Sequence, residues 1–455
     1  MSEDARDIAA RALKAVGGGD AEAHVLCERS GLARFASSEV HQPTLIENCV
    51  VTLRLIRDGK IGTASTNRID DAGLAEVAKR AAEAADSAVA EEGFPGLPGP
   101  QPLPEVEGYD DDVAAIGPED QATRARAAIE ASNAIGQFGF FTSGVTDLAI
   151  VSSAGVEAHQ SMTDATTLVV SADDGASGYA TQTSWSAGGI DPGGVGREAA
   201  DKAARTRDAQ TIGPAPYRAV LEPYAFADLI NYFGYDAFGA NGLLEERSYL
   251  AGRLGEKIMD EKVSIADDAL DPRGLPKKFD FEGVPKQRVQ LIENGVARGV
   301  VWDRTSASRA GDGHETTGHA PPPVYRQYGP LTFALTVDGG EIDSVEALCE
   351  LVGDGIYVTR LHYLGIVDPR EGVITGMTRD GTFRIRGGKM AEPLVNLRFT
   401  VSVPQMLEDV PGLGREQKLV NSSDFYGERY PIGALVPAIA TARFNITGVG
   451  SEPGL

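Results

Sequence analysis

Apolar residues recur at two different spacings in the first part of the chain. A helical spacing predicts helices over residues 5–16 and 74–85. Between them lie three strand-like runs, and the Asp58-Gly59 pair predicts a hairpin that joins the last two. The three runs cover residues 24–28, 49–57 and 60–65. We therefore expect a small N-terminal α/β domain with an antiparallel sheet over residues 1–92.

A proline-rich segment follows this domain. Prolines recur from residue 94 to residue 104, where they exclude an ordinary helix or a central strand, so residues 93–117 are interpreted as a linker. Pro118 and the acidic residues behind it are typical of the start of a helix. Further on, the pattern predicts three strands and a helix, over residues 145–151, 156–161, 166–172 and 193–207. Residues 118–214 therefore form a predicted middle α+β domain.

The remaining residues, 215–455, alternate between β-rich runs and turn signals. The turn signals are Asn294-Gly295, Asp338-Gly339, Asp380-Gly381 and Gly387-Gly388. The strand-like runs cover residues 288–293, 331–337, 356–363, 396–403 and 442–447. The predicted class is α+β: a small N-terminal α/β unit, a strand-rich middle region, and a large β-rich C-terminal domain with an antiparallel or mixed sheet.

The charge balance excludes some kinds of partner. The 42 Lys and Arg residues stand against 66 Asp and Glu residues, which gives a net charge of −24. This surplus argues against nucleic acid and against an anionic membrane surface. No run approaches the ~18 apolar residues of a membrane span, and the acidic N-terminus is not typical of a signal peptide. Three cysteines are too few for a disulfide scaffold, so we expect a reducing, cytoplasmic location.

One histidine cluster suggests metal chemistry. His314, Glu315 and His319 lie within six residues, and a zinc peptidase uses two such histidines to bind the metal and the glutamate to deprotonate its water. The histidines are five residues apart, however, so on a helix their directions would differ by about 140°. Glycines before the cluster and prolines after it also disfavour a helix. We expect a polar loop, with a metal site as the alternative.

A second candidate lies on a predicted strand. Arg360 and His362 share one sheet face by strand alternation, so together they could line a cleft and hold a peptide carboxylate. The alternative for His362 is a hydrogen-bonded structural role. Cys349 falls in an amphipathic helical stretch and is interpreted as a buried core thiol.

Several segments in the second half, taken in order, resemble a known family. The markers are residues 220–223, 281–285, 291–296, 317–320, 375–381 and 443–448. Together they resemble the TldD/PmbA family, and its PmbA (TldE) branch more than its TldD branch. The resemblance covers nearly the whole chain, and it rests on the order and spacing of the markers rather than on a single motif.

The resemblance implies a cytosolic metallopeptidase system. In it, TldD and TldE form a heterodimer that acts on unfolded or small peptides, and TldD supplies the zinc. The zinc motif of TldD lies on a helix that corresponds to residues 225–238 here, and this stretch contains no histidine. A cysteine ligand near the TldD C-terminus corresponds to residues 423–429, which contain no cysteine. The resemblance therefore implies no metal ligand and no catalytic residue in this chain.

Three hypotheses follow for the function. The first is a non-catalytic, TldE-like subunit that pairs with a zinc-bearing TldD-like subunit and helps to hold peptides. The second is an autonomous zinc metallopeptidase that uses His314, Glu315, His319 and His362. The third is a homodimer that binds peptides without hydrolysing them.

Overall fold

Two β-sheets, each covered by helices, form the computed structural model of the protein. It describes residues 4–131, 135–311, 313–423, 427–450 and 453. The combination of an N-terminal antiparallel sheet with a larger mixed sheet confirms the predicted α+β class. Within the described residues, no helix is long and apolar enough to cross a membrane.

The first sheet has six strands in the order β3-β2-β1-β4-β5-β6, and all neighbours are antiparallel. It takes strands from both the predicted first and the predicted middle domain. The strands are β1 (Asp20–Ala36), β2 (Glu39–Arg57), β3 (Lys60–Thr66), β4 (Gln137–Ser152), β5 (Glu157–Asp173) and β6 (Ala176–Ser184). The predicted hairpin at Asp58-Gly59 is confirmed. The predicted strands 156–161 and 166–172 are wrong as separate elements, because both belong to β5.

Helices cover this sheet through small apolar residues. They are α1 (Ala5–Ala15), α2 (Asp71–Ser87), α3 (Asp111–Ala114), α4 (Pro118–Glu130) and α5 (Pro192–Ala204). Alanines make up at least half of the buried residues of α1, α2 and α5, which allows close approach to the strands. The side chains of Asp4 and Asp70 accept hydrogen bonds from the first turns of α1 and α2, and so cap these helices.

The second sheet has eleven strands, and it contains both parallel and antiparallel pairs. Its first strands are β7 (Ala215–Leu221), β8 (Ile265–Asp267), β9 (Val289–Glu293), β10 (Val296–Ala297) and β11 (Leu335–Val337). The others are β12 (Gly355–Asp368), β13 (Val373–Arg386), β14 (Lys389–Leu394), β15 (Leu397–Ser402), β16 (Gly412–Asn421) and β17 (Gly433–Val449). The accompanying helices are α6 (Pro223–Ala237), α7 (Ala240–Leu244), α8 (Arg304–Ala310), α9 (Val345–Val352) and α10 (Val403–Met406).

The turn signals of the C-terminal region had mixed outcomes. Asn294-Gly295 joins β9 to β10, and Gly387-Gly388 joins β13 to β14, as predicted. The predicted turn at Asp380-Gly381 is wrong, because this pair lies inside β13. Both residues have positive φ angles, 54° and 128°, and the ladder to β12 shifts register nearby. The signal therefore marks a bulge, which needs the same backbone freedom as a turn.

The cysteines differ from the sequence expectation in one respect. The register of β1 and β2 sets Cys27 opposite Cys49, and the two form a disulfide. The spacing of the cysteines along the chain does not reveal this register, so the pair was not predicted. Cys349 is buried in α9 as expected, and burial raises the pKa of its thiol to about 11.

Candidate functional site

Helix α6 has one face in the core and one face at the surface. Phe226, Leu229, Ile230 and Phe233 are at most 3% exposed, and the helix packs against β12 and β17. The opposite face carries a stripe of polar residues three or four positions apart, which places them side by side. We call this the α6 stripe; it consists of Asp228, Asn231, Tyr232 and Tyr235.

The second half of the stripe borders a cavity of about 390 Å³. Tyr235 packs against Tyr328 at a ring-centroid distance of 5.8 Å, and Tyr328 lies 6.3 Å from Tyr325. Phe333 closes another side, and Asn231 Nδ2 donates a hydrogen bond to Ser422 Oγ at 2.9 Å. We call this cavity the tyrosine pocket. Its described lining residues carry no charge, so it suits an apolar or aromatic group.

The first half of the stripe borders a charged cluster. The Asp228 carboxylate accepts a hydrogen bond from the Leu361 backbone and lies near the Arg360 guanidinium. Burial nevertheless dominates and raises the pKa of Asp228 to about 7. Helix α6 thus presents a carboxyl group that changes charge near neutral pH. Strongly shifted carboxyl groups of this kind concentrate at functional sites.

Arg360 lies in the site and forms an ion pair with Asp380. Its Nε donates to Asp380 Oδ2 at 2.6 Å, and its guanidinium lies 4.2 Å from the centroid of the Tyr179 ring. Asp380 is 1% exposed, so this ion pair is sheltered from water on the side of the carboxylate. Arg360 Nη2 contacts Asp380 Oδ2 as well, so the protein itself positions the guanidinium beside Asp228.

His362 lies one step further along β12. Its ring packs on Tyr363 at 4.1 Å, and burial, with help from Arg360 and Arg379, lowers its pKa. Tyr363 has a φ of 52°, and the ladder between β12 and β13 shifts register there. The strand alternation that placed Arg360 and His362 on one face therefore ends at His362. Peptide contact by these two residues stays a prediction.

The structure does not bring His314, Glu315 and His319 together. His314 is exposed and packs on Trp302 at 4.6 Å, and Glu315 is exposed. His319 is fully buried; its Nε2 lies 2.9 Å from Asp267 Oδ1, and its Nδ1 lies 2.9 Å from Thr317 Oγ1. Both nitrogens of His319 thus have partners within the protein. The segment has no helix or strand, as expected of a loop, and His319 at its end is buried in the core.

Asp267 explains why His319 is buried. Its other oxygen accepts hydrogen bonds from the backbone N–H groups of Phe333 and Ala334, both at 2.9 Å. Burial raises the pKa of Asp267, but His319 and these bonds outweigh that effect and lower it to about 2. Burial and the charge of Lys286 lower the pKa of His319, which favours the neutral imidazole. The histidine therefore anchors a loop to β8.

The described residues do not fit a zinc ion. Nowhere in them do three His, Cys, Asp or Glu side chains converge as ligands. The α6 stripe offers one carboxylate, one amide and two phenols, whereas protein zinc sites normally include nitrogen or sulfur. In the stretch 423–429, residues 424–426 lie outside the described part. Arg429 of that stretch is buried, and its Nε donates to Asp164 Oδ1 at 2.8 Å.

Sequence reasoning missed the α6 stripe as a site. The resemblance correctly implied a helix here, and α6 spans Pro223–Ala237. Helical periodicity, applied to its polar positions, would have grouped Asp228, Asn231 and Tyr235. The cavity and the charged cluster also need residues far along the chain, such as Tyr328 and Leu361. The sequence of the helix alone therefore could not predict them.

Three family models match the chain in order. The PmbA/TldA metallopeptidase domain 1 matches residues 28–85, the central domain matches residues 111–207, and the C-terminal domain matches residues 214–448. The last of these alone covers more than half of the chain.

Curated relatives have moderate identity. An uncharacterised protein of Methanocaldococcus jannaschii is 28% identical over 278 residues, which are 59% of this chain and 63% of that protein. A protein named metalloprotease from Methanothermobacter thermautotrophicus is 29% identical over 52% of both chains. A zinc metalloprotease TldD homolog of Saccharolobus solfataricus is 27% identical over 44% of both. These matches span less than two thirds of the length of the relatives.

Solved structures share the fold over nearly the whole chain. The crystal structure of TldE from Thermococcus kodakarensis has a TM-score of 0.84 and 20% identity, and it covers 97% of this chain and 99% of that one. A protein from Thermotoga maritima, provisionally described as a modulator of a DNA gyrase, has a TM-score of 0.82 and 19% identity with the same coverage. With all three domain models matched in order, the chain belongs to the PmbA/TldD metallopeptidase family.

Proposed function

We propose that this chain is the TldE-like, non-catalytic subunit of a two-subunit metallopeptidase and holds peptide substrates along the α6 stripe. The observation that carries the proposal is the composition of α6. Where the resemblance to TldD implies zinc ligands, this helix offers a tyrosine pocket at one end and a carboxyl group with a raised pKa at the other. Such a surface suits the binding of peptide side chains and termini rather than of a metal.

The partner in this proposal is a TldD-like chain that carries the zinc. The hydrolytic step takes place there, and this subunit positions the peptide beside it. The fold shared with Thermococcus TldE and the relatives named metalloprotease support this division of roles. The proposal also places both subunits in the cytoplasm.

Reconstitution tests the proposal directly. The full chain is mixed with a purified TldD-like zinc subunit, and cleavage of an unstructured fluorogenic peptide is measured for each protein alone and for the mixture. We expect the mixture to be at least tenfold more active than either component. Tyr235→Ala should lower kcat/KM of the mixture several-fold, since the pocket loses a wall. Tyr109→Ala, which alters an exposed tyrosine on the linker, is the matched control and should leave it unchanged.

Other results would select the rival hypotheses. Cleavage by the isolated chain with zinc, abolished by Glu315→Gln, would establish an autonomous peptidase. Peptide binding without cleavage in any mixture, together with a dimeric mass of the chain alone, would establish a non-hydrolytic homodimer.

A further inference from the structure

Two lysine side chains lie buried close to the tyrosine pocket. Lys277 is 1% exposed and Lys286 is 3% exposed. Lys277 Nζ donates one hydrogen bond, to the carbonyl oxygen of Leu275 at 2.8 Å. Lys286 Nζ has no acceptor within hydrogen-bond distance among the described residues, and neither lysine joins an ion pair there. A pair of charged ammonium groups offers six N–H donors, of which the described residues use one.

The two carboxylates that act on Lys286 already accept hydrogen bonds from other donors. Asp267 receives His319 and two backbone N–H groups, as described above. Asp280 is 1% exposed and accepts from three backbone N–H groups, those of Glu282, Val284 and Ala320. Both acids influence Lys286 electrostatically without bonding to it. The lysines therefore lie near carboxylates that bond to other groups, and most of the lysine N–H donors have no acceptor among the described residues.

Aromatic rings connect the lysines to the tyrosine pocket. Lys277 Nζ lies 5.1 Å from the ring centroid of Tyr430, and Lys286 Nζ lies 5.5 Å from that of Phe333. The two rings are themselves 6.0 Å apart. Phe333 is half-buried and also lines the tyrosine pocket, so its ring is the wall shared by the pocket and the lysines.

Burial of two adjacent amines is unfavourable unless something compensates for it. Burial, together with the charge of Lys286, lowers the pKa of Lys277 to about 7, and burial also lowers the pKa of Lys286. A hydrophobic pair of similar size would avoid this loss. An anion that reached the amines would satisfy their free donors and restore their full charge.

We propose that Lys277 and Lys286 bind the free carboxylate at the end of a peptide whose last side chain occupies the tyrosine pocket, with the Phe333 ring turning aside to connect the two. This deepens the proposed function, on which it rests, by naming the substrate class: peptides with a free C-terminus and an apolar or aromatic last residue. The pocket supplies an uncharged cavity of about 390 Å³ for that side chain.

The charge of the whole chain favours this specific arrangement over general anion binding. A protein with a net charge of −24 repels anions from most of its surface. Cations fixed in place can hold a peptide carboxylate against this field, and the lysine pair provides two of them beside an apolar cavity. An amine or guanidinium ligand would instead face two like charges behind Phe333.

Matched peptides test the proposal on the full chain. Isothermal titration is carried out with N-acetyl-alanyl-alanyl-phenylalanine as the free acid and as the C-terminal amide. We expect the acid to bind at least tenfold more tightly at pH 6.5, because only the acid presents a carboxylate to the amines. Replacing phenylalanine by glycine in the probe should weaken binding of the acid, since the pocket is then left unfilled.

Substitutions locate the effect. In the variant with Lys277→Met and Lys286→Met, the preference for the acid should disappear, while a similar-sized core side chain remains. Phe333→Leu, which shortens the shared wall, should retain the preference. Equal affinity of acid and amide for the wild type would overturn the inference without any variant. A preference that persists in the folded double variant would overturn it as well.

The outcome is separable from that of the proposed function. If the chain discriminates acid from amide but never activates a TldD-like subunit, the carboxylate site stands and the subunit role fails. If reconstitution succeeds while acid and amide bind equally, the subunit role stands and the carboxylate site fails.

Discussion

In the sequence, residues 314–319 suggest a metal site and helix α6 does not. In the structure, helix α6 is the better candidate for a functional site. The first segment has two histidines and a glutamate, yet it spreads them between an exposed surface and a buried carboxylate. The helix has no histidine or cysteine, yet its polar stripe borders a cavity and includes a carboxyl group with a raised pKa. The difference teaches that convergence in space, rather than the residue types present in one segment, indicates where chemistry or binding takes place.

Removing His319 should produce the largest effect on stability. His319→Ala leaves Asp267 buried with one of its three described donors gone and opens a cavity, so we expect a loss of about 3–5 kcal/mol in the free energy of unfolding. Urea denaturation at pH 7 measures this loss.

A second substitution separates the charge from the cavity. Combining His319→Ala with Asp267→Asn should recover part of the loss, because no buried carboxylate then lacks the hydrogen bond from His319. A loss below about 1 kcal/mol for His319→Ala alone would contradict the buried pair, and rescue of stability by zinc would restore the metal interpretation of this segment.

Asp228→Asn should give the next largest change in the free energy of unfolding, and this change should be a gain in stability. The carboxyl group has a pKa of about 7 in the folded protein and an ordinary value of 3.8 when unfolded. Between these values the folded state retains a proton that the unfolded state loses, so stability falls as the pH rises from 4 to 7. The variant lacks this decline, and at pH 8 it should be more stable than the wild type by on the order of 2 kcal/mol.

Denaturation from pH 4 to pH 8 measures this difference. Asp201→Asn, on the exposed side of α5, is the matched control and should follow the wild-type curve. If the free energy of unfolding changes with pH in the same way for the wild type and Asp228→Asn, the pKa of Asp228 is ordinary. Helix α6 then bears no unfavourable charge. A residue kept at the expense of stability is typical of a functional position.

The sequence was sufficient for the longer helices and for the class of fold, but not for the short helices or the site. The family resemblance located α6, and its buried face follows a local rule of 3.6 residues per turn. The tyrosine pocket joins residues almost a hundred positions apart, Tyr235 and Tyr328, and the Cys27–Cys49 disulfide depends on the register between two strands. Neither register nor long-range approach follows from local pattern. The Asp380-Gly381 pair was misassigned for another reason: Asp-Gly pairs occur in both turns and bulges, so the pair alone does not distinguish them.

Changing the aromatic wall of the tyrosine pocket should have a moderate effect on binding and little on folding. Tyr328→Ala removes a ring that packs between Tyr235 and Tyr325, and aromatic contacts of this kind contribute about 1 kcal/mol. We expect roughly fivefold weaker binding of a phenylalanine-ended peptide, measured by titration. Tyr328→Phe keeps the ring and should bind as the wild type does. Equal binding by all three proteins would place the peptide elsewhere.

The smallest effect is expected where the sequence looks most catalytic. His314 and Glu315 are exposed, and surface substitutions usually change stability by no more than about 0.5 kcal/mol. His314→Ala together with Glu315→Gln should therefore unfold like the wild type, and elemental analysis after dialysis against a weak chelator should find far less than one zinc per chain in both proteins. If the wild type instead retains about one zinc per chain and the double variant loses it, the loop must rearrange to free His319 from Asp267. The comparison between this segment and α6 would then be reversed, because the segment that the structure assigns to packing would be the metal site.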